Sequence, residues 1–228
     1  DFVAASALAR QFGVKGLYYG PAGVGKTPLL QSAPRPLLVA VEPGMGSMRN
    51  AHNLPTADCI NDLAKLDDFF KWLMGSYEVR NFDTIGRDSG SYIAELILRE
   101  ELSKKSQSGA KVDGKAAYGE TSRRTYKYLF DLYALQHKHV YLTCKQGTAT
   151  IDGMEMTVPY FPGKDLYSTV PGLYDNICQI GRFIIPGHGE QKAIRCIGNM
   201  TTLARNRTGN LAELEPCDLT ALFNKCMS

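Results

Sequence analysis

Several patterns that define whole classes of proteins are missing from this sequence. None of its six cysteines forms a C-x-x-C pair, so neither a zinc site nor a disulfide framework is indicated. The four histidines have no cysteine or acidic companions at the spacing of a metal site. No apolar run reaches the roughly 18 residues that a membrane span requires. We therefore expect a protein of the reducing cytoplasm that has no membrane role.

The composition is that of one folded domain. The 228 residues are 44% hydrophobic and 21% charged, and they contain no low-complexity tract or internal repeat. A chain of this length can bury one large core but is too short for two ordinary domains. We therefore predict a single domain over residues 1–228. The formal net charge of +3 permits contact with nucleic acid but does not require it.

The sequence does contain a glycine-rich motif, YYGPAGVGKTPLLQ at residues 18–31. From Gly20 to Thr27 it satisfies every fixed position of G-x-x-x-x-G-K-[ST], the phosphate-binding loop of P-loop NTPases. In such a loop, backbone N–H groups surround the phosphates, the lysine reaches the β- and γ-phosphates, and the hydroxyl binds Mg²⁺. The predicted ATP-binding residues are Gly20, Pro21, Ala22, Gly23, Val24, Gly25, Lys26, Thr27 and Pro28. Pro28 falls in the first turn of the following helix, where a missing N–H group is tolerated.

Apolar runs alternate with amphipathic stretches, which predicts an α/β fold with a mostly parallel central sheet flanked by helices. The predicted strands lie near 16–20, 37–42, 81–88 and 139–145, and the predicted helices near 25–33, 60–74, 90–104 and 118–137. Two later strands, near 178–185 and 192–199, are predicted to be antiparallel additions to the sheet edge, before a last helix near 217–226. The polar stretch 103–124 interrupts the helical pattern, so we predict a mobile loop there.

Asp88 is the predicted partner of Thr27 in binding Mg²⁺. A P-loop NTPase needs a second acid at the end of a neighbouring strand, and the segment FDTIGRDS at residues 82–89 supplies one. Asp83 is the alternative, but it lies at the start of the predicted strand, far from the phosphate end. Gly86 and Arg87 occupy positions where such strands usually carry Val or Ile.

Two further polar residues follow predicted strands. Glu42 comes directly after the run LLVAV, and a carboxylate at the carboxyl end of a parallel strand faces the crevice in which ligands bind. We interpret Glu42 as the base that activates water, with a solvated strand end as the alternative. Gln146 follows the run VYLTC and Lys145. It either senses the γ-phosphate or simply caps the strand, and we favour the sensing role.

The order of these parts resembles the RecA fold and, more closely, the phage-encoded ATPases of the single-strand annealing and recombination type, a RecA-like AAA family. Those proteins share a GPPGVGKT-like loop, a following strand that ends in an acid, and a Pro-Gly-Lys after the second loop, here Pro162-Gly163-Lys164. The resemblance extends from about residue 15 to residue 215. It implies an ATPase of phage or prophage origin that acts in the cytoplasm of a bacterial host.

The resemblance also suggests a role for Arg205 and Arg207. RecA-like filaments place two cations, one residue apart, across the subunit interface onto the neighbour's γ-phosphate, and these arginines have that spacing. Residues i and i+2 of an extended segment point to the same side, so both can reach one anion. The alternative is a solvated basic turn. The trans role implies that the protein hydrolyses ATP only as a homo-oligomer, in a filament or a ring.

In RecA, two flexible loops bind single-stranded DNA, and residues 104–120 and 147–164 occupy the corresponding places here. The first offers lysines to backbone phosphates, among them Lys104, Lys105, Lys111 and Lys115. The second offers Met154, Met156, Tyr160 and Phe161, whose aromatic rings can stack on bases. The alternatives are a solvated charged face and local packing.

Three functions are compatible with the sequence. The first is an ATPase that binds ATP and Mg²⁺ and is stimulated by single-stranded DNA and by oligomerisation, in recombination or annealing. The second is a nucleotide or small-molecule kinase, for which residues 103–124 offer no clear lid. The third is a nucleotide-dependent assembly protein with little turnover, suggested by Gly86 and Arg87. We favour the first.

Overall fold

The computed structural model describes residues 2–9, 11–107, 114–163 and 165–228. The strands are β1 (Lys15–Gly20), β2 (Pro36–Ala40), β3 (Thr56–Asp58), β4 (Thr84–Asp88), β5 (His139–Ile151), β6 (Met154–Pro159), β7 (Asn176–Ile185), β8 (Gly189–Arg195), β9 (Arg205–Asn206) and β10 (Leu214–Pro216). The α-helices are α1 (Ala5–Ala9), α2 (Lys26–Leu29), α3 (Leu63–Gly75), α4 (Gly90–Gln107), α5 (Gly114–Tyr133), α6 (Asp165–Leu173) and α7 (Leu219–Met227). Short 3-10 helices span Leu30–Ser32, Met45–Met48 and Tyr77–Asn81.

The strands form one sheet in the order β10-β8-β7-β1-β5-β4-β2-β3. All pairings from β7 through β1, β5, β4 and β2 to β3 are parallel. Strands β8, β6 and β9 pair antiparallel with β7, β5 and β7, and β10 pairs antiparallel with β8. The predicted α/β fold, a mostly parallel sheet with antiparallel strands toward the C-terminus, is confirmed. It places β1, the strand that leads into the glycine-rich motif, between β5 and β7.

Side chains of β1 alternate between two cores, one on each face of the sheet. Leu17 and Tyr19 belong to the core beneath α3, α4, α5 and α6, while Tyr18 belongs to the core beneath α2 and α7. Every residue of β1 is buried. A central parallel strand covered on both faces is expected to be continuously apolar, and this explains why β1 is so readily predicted from sequence.

Gly86 and Arg87 of β4 face opposite sides of the sheet. A Cβ atom at Gly86 would lie 2.3 Å from Cδ2 of Leu30, so a Val or Ile at this position would require the Leu30 side chain to shift. The Arg87 side chain is fully buried on the other face, with its guanidinium carbon 4.4 Å from the centre of the Phe70 ring. Its Nη1 donates to the Tyr128 carbonyl at 3.1 Å, and burial lowers the pKa of Arg87 to about 10.

The predicted mobile loop at 103–124 is wrong for the residues that the structure describes. Helix α4 continues to Gln107 and α5 begins at Gly114; residues 108–113, including Lys111, lie outside the described residues. The buried face of α5 carries Ala117, Thr121 and Thr125, which do not stand out as apolar in the sequence. Arg124 joins the two helices through Glu101, at 2.6 Å.

The predicted flexible loop at 147–163 is also wrong, because β5 and β6 form a hairpin there. The strands pair from Gln146 and Pro159 to Ile151 and Met154. Asp152 and Gly153 form the turn, with φ angles of 50° and 79°. Asp-Gly is a strong sequence signal for such a turn, and it was available in the sequence. Lys164, predicted to follow this element, lies outside the described residues.

Strands β3 and β10 were not predicted, since each has only three residues. Among the residues that the structure describes, no helix combines the length and the apolar character needed to cross a membrane.

Candidate active site

A cavity of about 520 Å³ opens at the carboxyl ends of β1, β2, β4 and β5. Its walls include all but one of the residues predicted to bind ATP, namely Gly20, Pro21, Ala22, Gly23, Gly25, Lys26, Thr27 and Pro28. Glu42, Asp88 and Gln146 line it as well, as the sequence predicts. Val24 is the exception, because its side chain packs against the core beneath α2 and α7.

The glycines of the loop have backbone conformations that other residues rarely adopt. The φ angles of Gly23 and Gly25 are 77° and 85°, in the left-handed region that favours glycine. Helix α2 begins at Lys26, directly after Gly25. Pro28 lies inside the first turn of α2, as predicted. The glycines therefore allow the backbone of the loop to curve around the cavity.

The Lys26 side chain folds back over the start of the loop. Its Nζ donates to the Gly20 carbonyl at 2.8 Å and to the Pro21 carbonyl at 3.0 Å. Burial lowers the pKa of Lys26, and the nearby carboxylates of Asp88 and Glu42 partly oppose that shift. The ammonium group thus lies among acids at the edge of the cavity, where a phosphate group can replace the carbonyl oxygens as its partner.

Thr27 and Asp88 come together across the cavity floor, with 2.6 Å between Oγ1 of Thr27 and Oδ2 of Asp88. The other oxygen of Asp88 accepts a hydrogen bond from the Thr143 hydroxyl. A hydroxyl and a single carboxylate suit Mg²⁺, which prefers oxygen ligands and usually keeps water and phosphate oxygens in its shell. In the described part of the chain, no group of three or more His, Cys, Asp or Glu residues is arranged to hold a metal ion. The residues therefore fit Mg²⁺ bound together with a nucleotide.

Glu42 is held beside Asp88 by the main chain. The N–H groups of Val41 and Glu42 both donate to the Asp88 carbonyl, at 2.8 and 3.0 Å. The Ser89 hydroxyl donates to Oε2 of Glu42 at 2.7 Å, and Ser89 is joined to Asp88 by a cis peptide bond. The Ser89 hydroxyl therefore fixes the Glu42 carboxylate at the wall of the cavity, beside Asp88.

Gln146 lies in β5 where the hairpin with β6 begins. Its Oε1 accepts a hydrogen bond from the Gln179 amide at 3.2 Å. The side chain therefore joins the cavity to β7 as well as to the hairpin.

Two lysines at the cavity were missed by sequence reasoning. Lys145 lines the cavity beside Gln146, and Lys192 of β8 donates from Nζ to the Gly25 carbonyl at 3.3 Å. Position at the end of a predicted strand is a sequence signal for Lys145, as it is for Gln146. No local pattern points to Lys192, since only the pairing of β7 with β8 brings it to the loop.

Arg205 and Arg207 lie away from this cavity within the chain. Arg205 is the first residue of β9, which pairs with the start of β7 near the amino end of β1, and Arg207 follows that strand. Arg205 donates to the carbonyls of Pro171 and Tyr174, at 2.5 and 3.2 Å. Arg207 donates to the Gly172 carbonyl at 2.8 Å, and its guanidinium lies 3.3 Å from Asp175.

The residues predicted to contact DNA have different environments. Met154 is 43% exposed, whereas Phe161 is fully buried among core residues. The prediction that Phe161 stacks on a base is therefore wrong, because no face of its ring is accessible. Lys104 extends from α4 and forms ion pairs with Glu100 and Glu101.

This chain has similarities to known proteins. The family model described as AAA domain (AAA_24) matches residues 13–208. Among solved structures, a KaiC-like protein from the hyperthermophilic archaeon Pyrococcus horikoshii is similar, with 14% identity and a TM-score of 0.42. That similarity covers 83% of this chain and 80% of the archaeal one. No curated protein sequence matches this chain.

Proposed function

This chain belongs to the AAA domain family, and from that premise we propose that it hydrolyses ATP in the presence of Mg²⁺. The observation that carries the proposal is the contact between Thr27 and Asp88, 2.6 Å apart, on the floor of a cavity that also holds Lys26 and Glu42. Together these residues provide a phosphate-binding lysine, oxygen ligands for Mg²⁺ and a base, the parts that phosphoryl transfer to water requires.

Each residue has a separate task in this proposal. Lys26 leaves the carbonyls of the loop and binds the β- and γ-phosphates. Thr27 and Asp88 hold Mg²⁺, which when bound neutralises charge on the phosphates. Glu42, oriented by Ser89, takes the proton of the attacking water.

We further propose that the protein acts as a homo-oligomer on single-stranded DNA, in phage recombination or annealing. Arg207 supports the oligomeric part of the proposal, since 47% of its side chain is exposed and it lies at the end of β1 remote from its own loop. A neighbouring subunit's nucleotide is then its target. Gln146 supports the DNA part, because it lies in both the cavity wall and the first strand of the β5–β6 hairpin.

The test is nucleotide binding and ATP hydrolysis by wild type and by Lys26→Ala. We expect Lys26→Ala to weaken ATP binding about 100-fold or more, because hydrogen bonds from a charged group to phosphate are lost. The fold should remain intact, since Lys26 contributes little to the core.

Lys71→Ala is the matched control, because Lys71 is 77% exposed on α3 and pairs with Asp68. It should bind and hydrolyse ATP as wild type does. Equal ATP affinity and kcat in Lys26→Ala and wild type would refute the proposed site.

A further inference from the structure

Lys145 occupies a particular place in the phosphate cavity. It is the β5 residue directly opposite Gly20 in the parallel pairing of β1 with β5, so it lies beside the first residue of the loop. Strand β5 lies between β1 and β4, and Lys145 therefore enters the cavity between the loop that follows β1 and Asp88 at the end of β4. Its charge is close enough to Lys26 to contribute to the lowered pKa of that lysine.

The Lys145 side chain has a carboxylate partner outside the cavity floor. Its Nζ lies 2.8 Å from both carboxylate oxygens of Glu95, on α4. The same ammonium group lies 5.4 Å from the centre of the Tyr92 ring. The side chains of Lys145 and Glu95 are 37% and 20% exposed. Ion pairs of such exposure are weak, so a more highly charged anion in the cavity can replace Glu95.

The main chain around Lys145 is held more firmly than the side chain. The Lys145 N–H donates to the Ser91 hydroxyl at 2.9 Å, and that hydroxyl donates to the Tyr160 carbonyl at 2.6 Å. The Tyr160 N–H donates in turn to the Lys145 carbonyl at 2.8 Å. These bonds hold the backbone of Lys145 against α4 and the base of the β5–β6 hairpin. Only the side chain is then free to exchange partners.

The charges around the cavity include both signs. Lys26 and Lys145 line it together with the carboxylates of Glu42 and Asp88, and Lys145 is paired with Glu95 on α4. Thr27 and Asp88 would hold Mg²⁺, which would neutralise charge on the phosphates. Lys26 and the loop would bind the other phosphates, and Lys145 reaches the same cavity from β5, where its ammonium group can meet the terminal phosphate.

We propose that Lys145 is a second phosphate-binding lysine, specific for the terminal phosphate of a nucleoside triphosphate, and that Glu95 holds it when that phosphate is absent. Binding of triphosphate transfers Lys145 from Glu95 to the phosphate and frees a carboxylate on α4. A diphosphate leaves the Lys145–Glu95 pair intact. The inference rests on the proposed function, since it assumes that nucleotide binds to this loop.

The first test is the affinity of Lys145→Met for a non-hydrolysable ATP analogue and for ADP, both with Mg²⁺. We expect the analogue to bind about 10- to 100-fold more weakly than to wild type, because charge-assisted hydrogen bonds are lost. ADP affinity should change by less than about 3-fold, which corresponds to the loss of no such bond. Lys145→Arg retains the charge and should restore the preference for triphosphate.

The second test removes the resting partner. In Glu95→Gln the lysine no longer has to leave a carboxylate, so the analogue should bind about 2- to 5-fold more tightly, in line with the small strength of a partly exposed pair. ADP affinity should stay at the wild-type value. Combined with Lys145→Met, the Glu95→Gln change should have no effect, because Glu95 acts only through Lys145.

The outcomes separate the two proposals. Wild type that binds neither nucleotide would overturn the proposed function and this inference together. Loss of both nucleotides in Lys26→Ala, with a wild-type ratio of triphosphate to diphosphate affinity in Lys145→Met, would overturn the inference alone. Thermal melting of each variant checks folding, and a wild-type affinity ratio in Lys145→Arg and Lys145→Met alike would also count against the inference. Lys71→Met serves as the control for loss of a lysine.

Discussion

The two ends of β1 carry the same kinds of charged side chain but use them differently. At the carboxyl end, Lys26 and Lys145 face Glu42 and Asp88 across a cavity of about 520 Å³. At the amino end, the buried Lys15 donates to the carbonyls of Leu135 and Lys138. At this end, the ammonium group therefore donates to main-chain carbonyl oxygens that come just after the end of a helix.

Arg205 and Arg207 belong to the amino end in this comparison. Both donate to carbonyls in or just after the last turn of α6, where the helix leaves its carbonyl groups without partners. Position in the sequence does not distinguish such a cation from one that binds a ligand. The two kinds of cation differ in their surroundings: one lies beside unpaired carbonyl groups at a helix end, and the other lies beside a cavity.

The largest expected effect tests whether Arg207 also binds a ligand and does not only cap α6. If Arg207 reaches the nucleotide of a neighbouring subunit, Arg207→Ala should lower kcat by about 10³–10⁵-fold while changing ATP affinity little, because it stabilises charge that develops in the transition state. Mixing inactive Arg207→Ala with inactive Lys26→Ala protein should then restore part of the activity, since some interfaces contain an intact loop and an intact arginine.

Arg35 provides the matched control, since it is an exposed arginine at the same end of the sheet and pairs with Asp83. Arg35→Ala should keep wild-type kcat. No recovery on mixing, together with a lower melting temperature of Arg207→Ala, would assign Arg207 to capping α6 only.

The next effect concerns the carboxyl end alone. Glu42→Gln should slow ATP hydrolysis by about 10²–10⁴-fold, because an amide holds water but does not accept its proton. ATP affinity should be close to that of wild type. An unchanged kcat in single-turnover measurements would assign Glu42 to a structural role with Ser89.

A smaller effect tests the contact with DNA. If Lys104 binds a phosphate of single-stranded DNA, Lys104→Ala should reduce the slope of log affinity against log salt by about 0.7. Titration of a labelled oligonucleotide at several salt concentrations measures the slope, with Lys71→Ala as the control. An affinity that does not depend on salt would exclude phosphate contacts by α4.

The smallest effect concerns the amino end and should leave ATP hydrolysis at neutral pH unchanged. Burial lowers the pKa of His139 to about 4, against 6.5 for the free side chain, with a further contribution from Lys15. As the pH falls, His139 therefore becomes protonated near pH 6.5 in the unfolded chain but only near pH 4 in the folded protein. The free energy of unfolding should fall as pH falls, by at most about 2 kcal/mol between pH 6.5 and 5.

His139→Asn should remove this part of the pH dependence, since an amide oxygen can still accept from the Val14 N–H group, as Nδ1 of His139 does. His188→Asn, at an exposed position in the β7–β8 turn, should retain it. Denaturant unfolding at several pH values measures both, and equal slopes in His139→Asn and wild type would contradict the assignment.

Local sequence patterns predicted the parts of the molecule whose structure depends mainly on neighbouring residues in the chain. The loop from Gly20 to Thr27 is specified by glycine conformations and by the chemistry of two side chains, so the motif suffices. Apart from Lys15, strand β1 consists of Gly, Leu and Tyr residues, which suits a strand that is covered on both faces. The pairing of Thr27 with Asp88 was predictable because parallel strands end at one edge.

The errors occurred where packing substitutes for an apolar pattern. Helix α5 buries Ala117 and Thr121 against α4, and a stretch of such residues with many charges looks like a loop. Asp152-Gly153 indicates the turn of the β5–β6 hairpin, but the strands of the hairpin are polar and partly exposed and therefore lack an apolar pattern. Phe161 looked accessible beside Pro162 and is fully buried.

The glycine-rich loop, the α/β alternation and the acids beside the loop are predictable from the sequence, because each depends on neighbouring residues or on strand order. The tertiary structure alone decided what each cation binds. Lys145 lines the cavity and Arg205 donates to carbonyls at a helix end, although both lie in extended segments. That difference comes from helices distant in sequence, α4 and α6, whose packing decides which oxygens lie within reach of each positive charge.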